Sequence, residues 1–208
     1  MKRILCKSTA VLLLLALFLP LFSGCARETD DEMLAICERL LRESALVNEI
    51  CFGVGLSHVE GKDEGYLTPG YAEATKASRE KYGVNSTTDI KEKIRAVYSV
   101  DTCDYIDRVI FQPVREESTV ASYRRYFDAE DLDGNLCLMV KKDYEPFATG
   151  SVTYENVRIA KHSRSRAEIL VDITVSDGEE SRTQKDVSFP LRYEDGWRLD
   201  ALTYASVK

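Results

Sequence analysis

Histidine is nearly absent from this chain: His58 and His162 are the only two among 208 residues. One falls in a glycine-rich stretch and the other in a predicted turn between strands, so neither a histidine-based catalytic triad nor a His-rich metal site can be assembled. Positive charge is also short. Lys and Arg total 28 against 35 Asp and Glu, a net charge of −7, and no basic patch interleaves with aromatics. Nucleic acid would be repelled, which excludes it as a partner. Two loop motifs lack essential parts. Phe52-Gly53-Val54-Gly55-Leu56 has no third glycine and opens no helix after a strand, so it is not a phosphate loop. The acidic run around Asp128–Asp133 would need an oxygen ligand at Ala129 and a glutamate at Val140 to form a calcium loop of the EF-hand kind. No catalytic constellation, metal site or cofactor site is expected.

The one long apolar run, Val11–Phe22, is interrupted by Pro20 and falls short of the about 20 residues a membrane span requires. Lys2, Arg3 and Lys7 precede it and Ser23-Gly24 follow it, the three-part pattern of a cleaved export signal. Phe22-Ser23-Gly24-Cys25 resembles the lipobox of bacterial lipoproteins, with phenylalanine where leucine is usual. The resemblance implies cleavage before Cys25, a diacylglyceryl group on its thiol, and a lipid anchor on the extracytoplasmic face of the cell membrane. Residues 1–24 carry three positive charges and no negative ones, so their removal takes the net charge from −7 to −10. The 184 residues left suit one domain.

Cys37, Cys51, Cys103 and Cys137 remain in the mature chain. Export to an oxidising compartment allows three disulfide pairings; four buried thiols are the alternative. Cys37 and Cys51 cannot pair across an intact helix, because at 1.5 Å per residue they stand roughly 20 Å apart.

Residues 25–31 read as a lipidated polar tether, and 32–208 as a single α+β domain with a helical part over 32–113 and a sheet part over 120–206. Leu34, Cys37, Leu41 and Asn48 share one stripe of an amphipathic helix over about 32–50, with Asp30 or Asp31 as its cap. Glycines dominate 51–71, and a short helix is expected over 72–82. Thr88-Asp89 opens a helix burying Ile90, Ile94, Val97 and Tyr98. Ser99 and Asp101 cap its continuation. Asn85-Ser86-Thr87 matches a glycosylation acceptor but reads better as the lead-in to that helix.

From Val120 the period changes to two. Asp133-Gly134 joins a hairpin, and strands follow near 151–160, 166–176, 183–194 and 197–206, with Asp177-Gly178 and Asp195-Gly196 as turns. Val152 and Tyr154 alternate out of phase with Val157 and Ile159, which predicts a bulge near Glu155-Asn156. Helices followed by antiparallel strands give the α+β class, with the N-terminal helices packed on a curved antiparallel sheet as in cystatin-like and NTF2-like folds.

Thr88-Asp89-Ile90, the segment Tyr126-Phe127-Asp128 to Asp133-Gly134-Asn135-Leu136-Cys137, the long strands and Tyr193-Glu194-Asp195-Gly196-Trp197-Arg198 together resemble the IseA-type inhibitors of DL-endopeptidases. The resemblance covers roughly residues 88–206. It implies a protein that docks on an exported NlpC/P60 peptidoglycan hydrolase and blocks its cleft. Asp128, Glu130, Asp131 and Asp133 are the partner-binding candidates, set against the plainer reading of a hairpin tip kept soluble by charge. The alternative function is an NTF2-like small-molecule-binding domain or small enzyme with a pocket between helix and sheet, lined by Tyr154 and Asn156.

Overall fold

The computed structural model describes residues 28–60, 70–114, 122–130, 134–147, 150–176 and 179–203. The signal, Cys25, Asp131, Asp133 and the Asp177-Gly178 turn lie outside the described residues. The chain divides into two compact units, Met1–Met33 and Leu34–Lys208.

Helix α1 runs Asp30–Cys51. Within the first unit its cap is Thr29 rather than Asp30 or Asp31. The Thr29 N–H and hydroxyl both donate to Glu32 Oε2, at 2.8 and 2.9 Å, and the Glu32 N–H donates back to Thr29 Oγ1 at 3.3 Å. This reciprocal capping box satisfies donors at the helix start and holds the Glu32 carboxyl below its usual range.

In the second unit, Cys37, Leu40, Leu41, Ser44, Val47, Asn48 and Ile50 bury the inner stripe of α1. A three-residue strand, β1 (Tyr71–Glu73), stands where a helix beginning near residue 72 is expected. The helix starts only at α2 (Lys76–Tyr82), because Thr75 turns its side chain to accept from the Ser78 N–H, which fixes the boundary. Helix α3 (Thr87–Val97) begins at Ser86 with a capping box to Asp89, and buries Ile90, Ile94 and Val97. Helix α4 (Val100–Ile110) follows Ser99, whose hydroxyl makes no cap. It donates instead to Asp200 Oδ1 at 2.5 Å, and Glu194 Oε2 accepts the Val100 N–H at 3.0 Å. The cap predicted from Ser99 and Asp101 is therefore supplied from the far end of the chain.

Among the described residues the strands form three antiparallel sheets. β1 lies beside β5 (Leu136–Lys141), which lies beside β4 (Tyr126–Glu130). β2 (Pro113–Val114) pairs with β3 (Ser122–Tyr123). β6 (Ser151–His162), β7 (Arg166–Ser176), β8 (Ser181–Tyr193) and β9 (Trp197–Leu199) form a four-stranded sheet in simple sequential order. The class is α+β, as the change of period predicts, but the strands divide between sheets rather than continuing as one.

Alternation decides which face of β7 is inside: Ala167, Ile169, Val171, Ile173 and Val175 are buried. Phe189 and Leu191 of β8 and Trp197 and Leu199 of β9 join them. The expected bulge is present. Pairing of β6 with β7 slips between Glu155 and Arg158, and Asn156 takes φ +51°. At the Asp195-Gly196 turn both residues have positive φ, 50° and 128°, as a tight hairpin of this kind requires.

Candidate binding site

Helix α1 ends without a basic residue in its last turn. Its exposed carbonyls need donors, and β4 with the residue before it supplies them. The Arg125 side chain is 1% exposed, and its guanidinium donates to the carbonyls of Cys51 (2.9 Å), Gly53 (2.8 Å) and Val54 (2.8 Å). Tyr126 donates its hydroxyl to Ile50 O at 2.8 Å and accepts the Leu56 N–H at 3.3 Å. Tyr144 adds a bond to Cys51 O at 3.2 Å, and its ring lies 4.0 Å from the Arg125 guanidinium carbon. The cation is held by carbonyl dipoles and an aromatic face at the negative end of a helix. This arrangement accounts for the glycine-rich loop. Gly55 has φ +69°, and a Cβ there would collide with Arg125 Nη2 and the Tyr126 hydroxyl. The loop turns carbonyls toward a cation, the opposite polarity from a phosphate loop.

A second polar cluster ties α1 to the C-terminal residues. Asn48 Nδ2 donates to Thr203 Oγ1 at 2.9 Å, the Tyr98 hydroxyl donates to Asn48 Oδ1 at 2.8 Å, and Thr203 Oγ1 donates to Ser44 Oγ at 2.8 Å. Tyr154 reaches Thr203 O at 3.1 Å. Burial raises the Tyr98 and Tyr154 hydroxyls above their ordinary value, so they serve as donors.

Beside this cluster, between α1 and the start of β6, lies a pocket of about 160 Å³. Ala45, Asn48, Glu49, Gly53, Ser151 and Tyr154 are among the residues that line it. It is smaller than the about 300 Å³ at which sites for whole small molecules begin. Glu49 enters no salt bridge or hydrogen bond among the described residues, while the nearby side chains Asn48 and Tyr154 are both bonded. A Cβ on Gly53 would run into the Glu49 carboxylate, so glycine at 53 is what lets that group lie against the loop.

Of the predicted pocket residues, Tyr154 lines this cavity and Asn156 does not. The bulge sends Asn156 elsewhere: its Nδ2 donates to Asp172 Oδ2 at 2.9 Å. Of the acidic hairpin, Asp128 is committed to the start of α3, where it accepts the Thr87 N–H at 2.9 Å and the Thr87 hydroxyl at 2.6 Å. Glu130 is exposed. Cys37, Cys51 and Cys103 are free thiols, and the Cys137 thiol donates to Asn135 O at 3.7 Å. Burial pushes Cys37 and Cys51 up to about 12 and Cys103 up to about 11, which leaves them protonated and poor nucleophiles. Among the described residues no three acidic, histidine or cysteine side chains gather as a metal site, and no helix is long and apolar enough to cross a membrane.

Sequence reasoning missed Arg125, Glu49 and Gly53. Arg125 sits in an apolar-alternating stretch where an arginine reads as solvent-facing, and only the ends of α1 and β4 meeting in space give it a role. The one available signal was the absence of a basic residue at the end of α1.

Compared with protein-family models and with curated proteins, the chain matches none of either.

Proposed function

We propose that this is a membrane-anchored extracytoplasmic lipoprotein, held by a diacylglyceryl group on Cys25, that acts by binding another exported protein. The observation that carries the reading is a pair of apolar side chains held out on two loops that are bonded to each other. Val54 is 69% exposed and Phe147 59% exposed. The Phe147 N–H donates to Phe52 O at 2.9 Å and the two rings pack 6.3 Å apart, while Arg125 holds the Val54 carbonyl from below. A preorganised apolar pair loses little conformational freedom on docking, which is how few residues come to dominate an interface. The resemblance to IseA-type inhibitors supports an NlpC/P60-type DL-endopeptidase as the partner. Occlusion of a peptidase cleft needs shape and charge complementarity and no catalytic groups. A lipid tether would keep such a domain at high effective concentration near enzymes leaving the membrane.

The test is peptidoglycan digestion by several NlpC/P60 hydrolases with and without the mature protein. Slower digestion is expected, with relief by Val54→Asp and Phe147→Asp. Unchanged digestion at micromolar excess over all of them removes the inhibitor reading. Metabolic labelling with a fatty-acid probe, lost in Cys25→Ala, tests the anchor separately.

A further inference from the structure

Resting on the protein-binding reading, we infer that the pocket between α1 and β6 is the socket for one lysine side chain of the partner, with Glu49 as its counter-ion.

Three observations converge on a cation. The Glu49 carboxylate has no ion-pair partner among the described residues, although it stands near the C-terminal end of a 22-residue helix with no basic residue in its last turn. The Arg125 guanidinium donates to the Cys51, Gly53 and Val54 carbonyls and forms no salt bridge with Glu49. Lys81, whose charge interacts with Glu49, gives its ammonium to the Tyr82 hydroxyl at 2.9 Å. A carboxylate in this setting favours a cation from outside.

The size selects the rest of the ligand. About 160 Å³ excludes a nucleotide or a sugar chain but admits the end of one long side chain. Ala45, Val152 and the Tyr154 ring offer apolar wall to an alkyl stem, so the stem can be buried while its head meets Glu49. The pocket is linked to the exposed pair along the chain. Gly53 lines it and Val54 follows directly, and Phe147 is bonded to Phe52 just before. A partner segment with a lysine next to apolar residues matches both parts, and the net charge of −7 favours a basic partner at long range.

The experiment uses the full chain purified in detergent micelles, titrated with Nα-acetyl-lysine N-methylamide and with its norleucine counterpart, which keeps the stem and lacks the charge. Backbone amide NMR signals of Gly53, Gly150 and Ser151 are followed. The lysine probe is expected to shift these signals with millimolar affinity and to bind at least about tenfold more tightly than norleucine, as one charge-assisted contact would give. Glu49→Gln should abolish the preference while leaving the remaining spectrum in place. Equal response to both probes, no shift by about 20 mM lysine probe, or an undiminished preference in Glu49→Gln overturns the inference. If the lysine probe binds as expected but no exported partner is found, the protein-binding reading falls and the pocket stands. If a partner is captured and Glu49→Gln holds it as tightly, the reading stands and the inference falls.

Discussion

The Arg125 guanidinium occupies the space that a side chain on Gly55 would need, so the two residues are a matched pair. The cation caps α1 only because the loop passes close at φ +69° without a Cβ in the way. Gly55→Ala should therefore cost about 2–4 kcal/mol, from left-handed backbone strain plus overpacking. Arg125→Met should cost about 3–5 kcal/mol, because the carbonyls of Cys51, Gly53 and Val54 lose a charged donor. Urea unfolding midpoints check both. A Gly55→Ala protein as stable as the parent would mean the loop does not rest on Arg125.

Asp172 joins two bulges across three strands. Asn156 Nδ2 on β6 donates to one carboxylate oxygen at 2.9 Å, and the Asp186 N–H on β8 donates to the other at 3.0 Å. Asn156 and Asp186 both take positive φ, 51° and 55°. Asn156→Ala should lose about 1–3 kcal/mol, from the missing bond and the strained backbone, whereas Asn156→Gly recovers part of it. Thermal unfolding of the two variants decides: glycine less stable than alanine would count against strain at this position.

The buried thiols predict a decline of stability in alkali. Cys37 and Cys51 are raised from an ordinary 9.0 to about 12 by burial, and Tyr126 from 10.0 to about 12. In the unfolded chain these groups release protons at their ordinary values, while the folded protein retains them. Their contribution is whole below about pH 8.5 and is lost progressively as pH rises toward about 12. The urea midpoint should fall between neutral pH and about pH 10.5, and Cys37→Ala with Cys51→Ala should flatten that fall. Native protein at about pH 8 should also protect both thiols from iodoacetamide until urea is added.

Asp128 is a helix cap before it is anything else. Asp128→Ala removes the acceptor for the Thr87 N–H and hydroxyl and should cost about 1–2 kcal/mol. Glu130→Ala, exposed on the same strand, should change stability by less than about 0.5 kcal/mol. Circular dichroism melts of the two, compared with their effect on partner binding, separate a structural carboxylate from a recognition one. Equal melts would show that the bonds from Thr87 contribute nothing.

Periodicity was enough to predict the helical stripe through Cys37, Leu41 and Asn48, the inward row Ala167 to Val175 and the bulge at Asn156, and the Asp-Gly dipeptide was enough for the turn at Asp195-Gly196. Each depends on neighbours within a few residues, and one buried face imposes a repeat of 3.6 or 2 on the chain. Strand β1 was not legible: three residues carry no repeat, and Tyr71–Glu73 becomes a strand only because β5 lies alongside with Tyr71 opposite Lys141. The same holds for the site. Tyr154 could be placed on a concave face by its alternation, but the partner of Arg125 is a set of carbonyls 71 to 74 positions away. Likewise Glu194, 94 positions from Val100, does the capping that Ser99 was expected to do. Hydrogen bonds at such separations leave no periodic trace, since a donor's charge in the sequence does not say which carbonyl will face it. Tertiary folding therefore decided which polar residues are spent on structure, and left Glu49 lining the pocket with no salt bridge or hydrogen bond among the described residues.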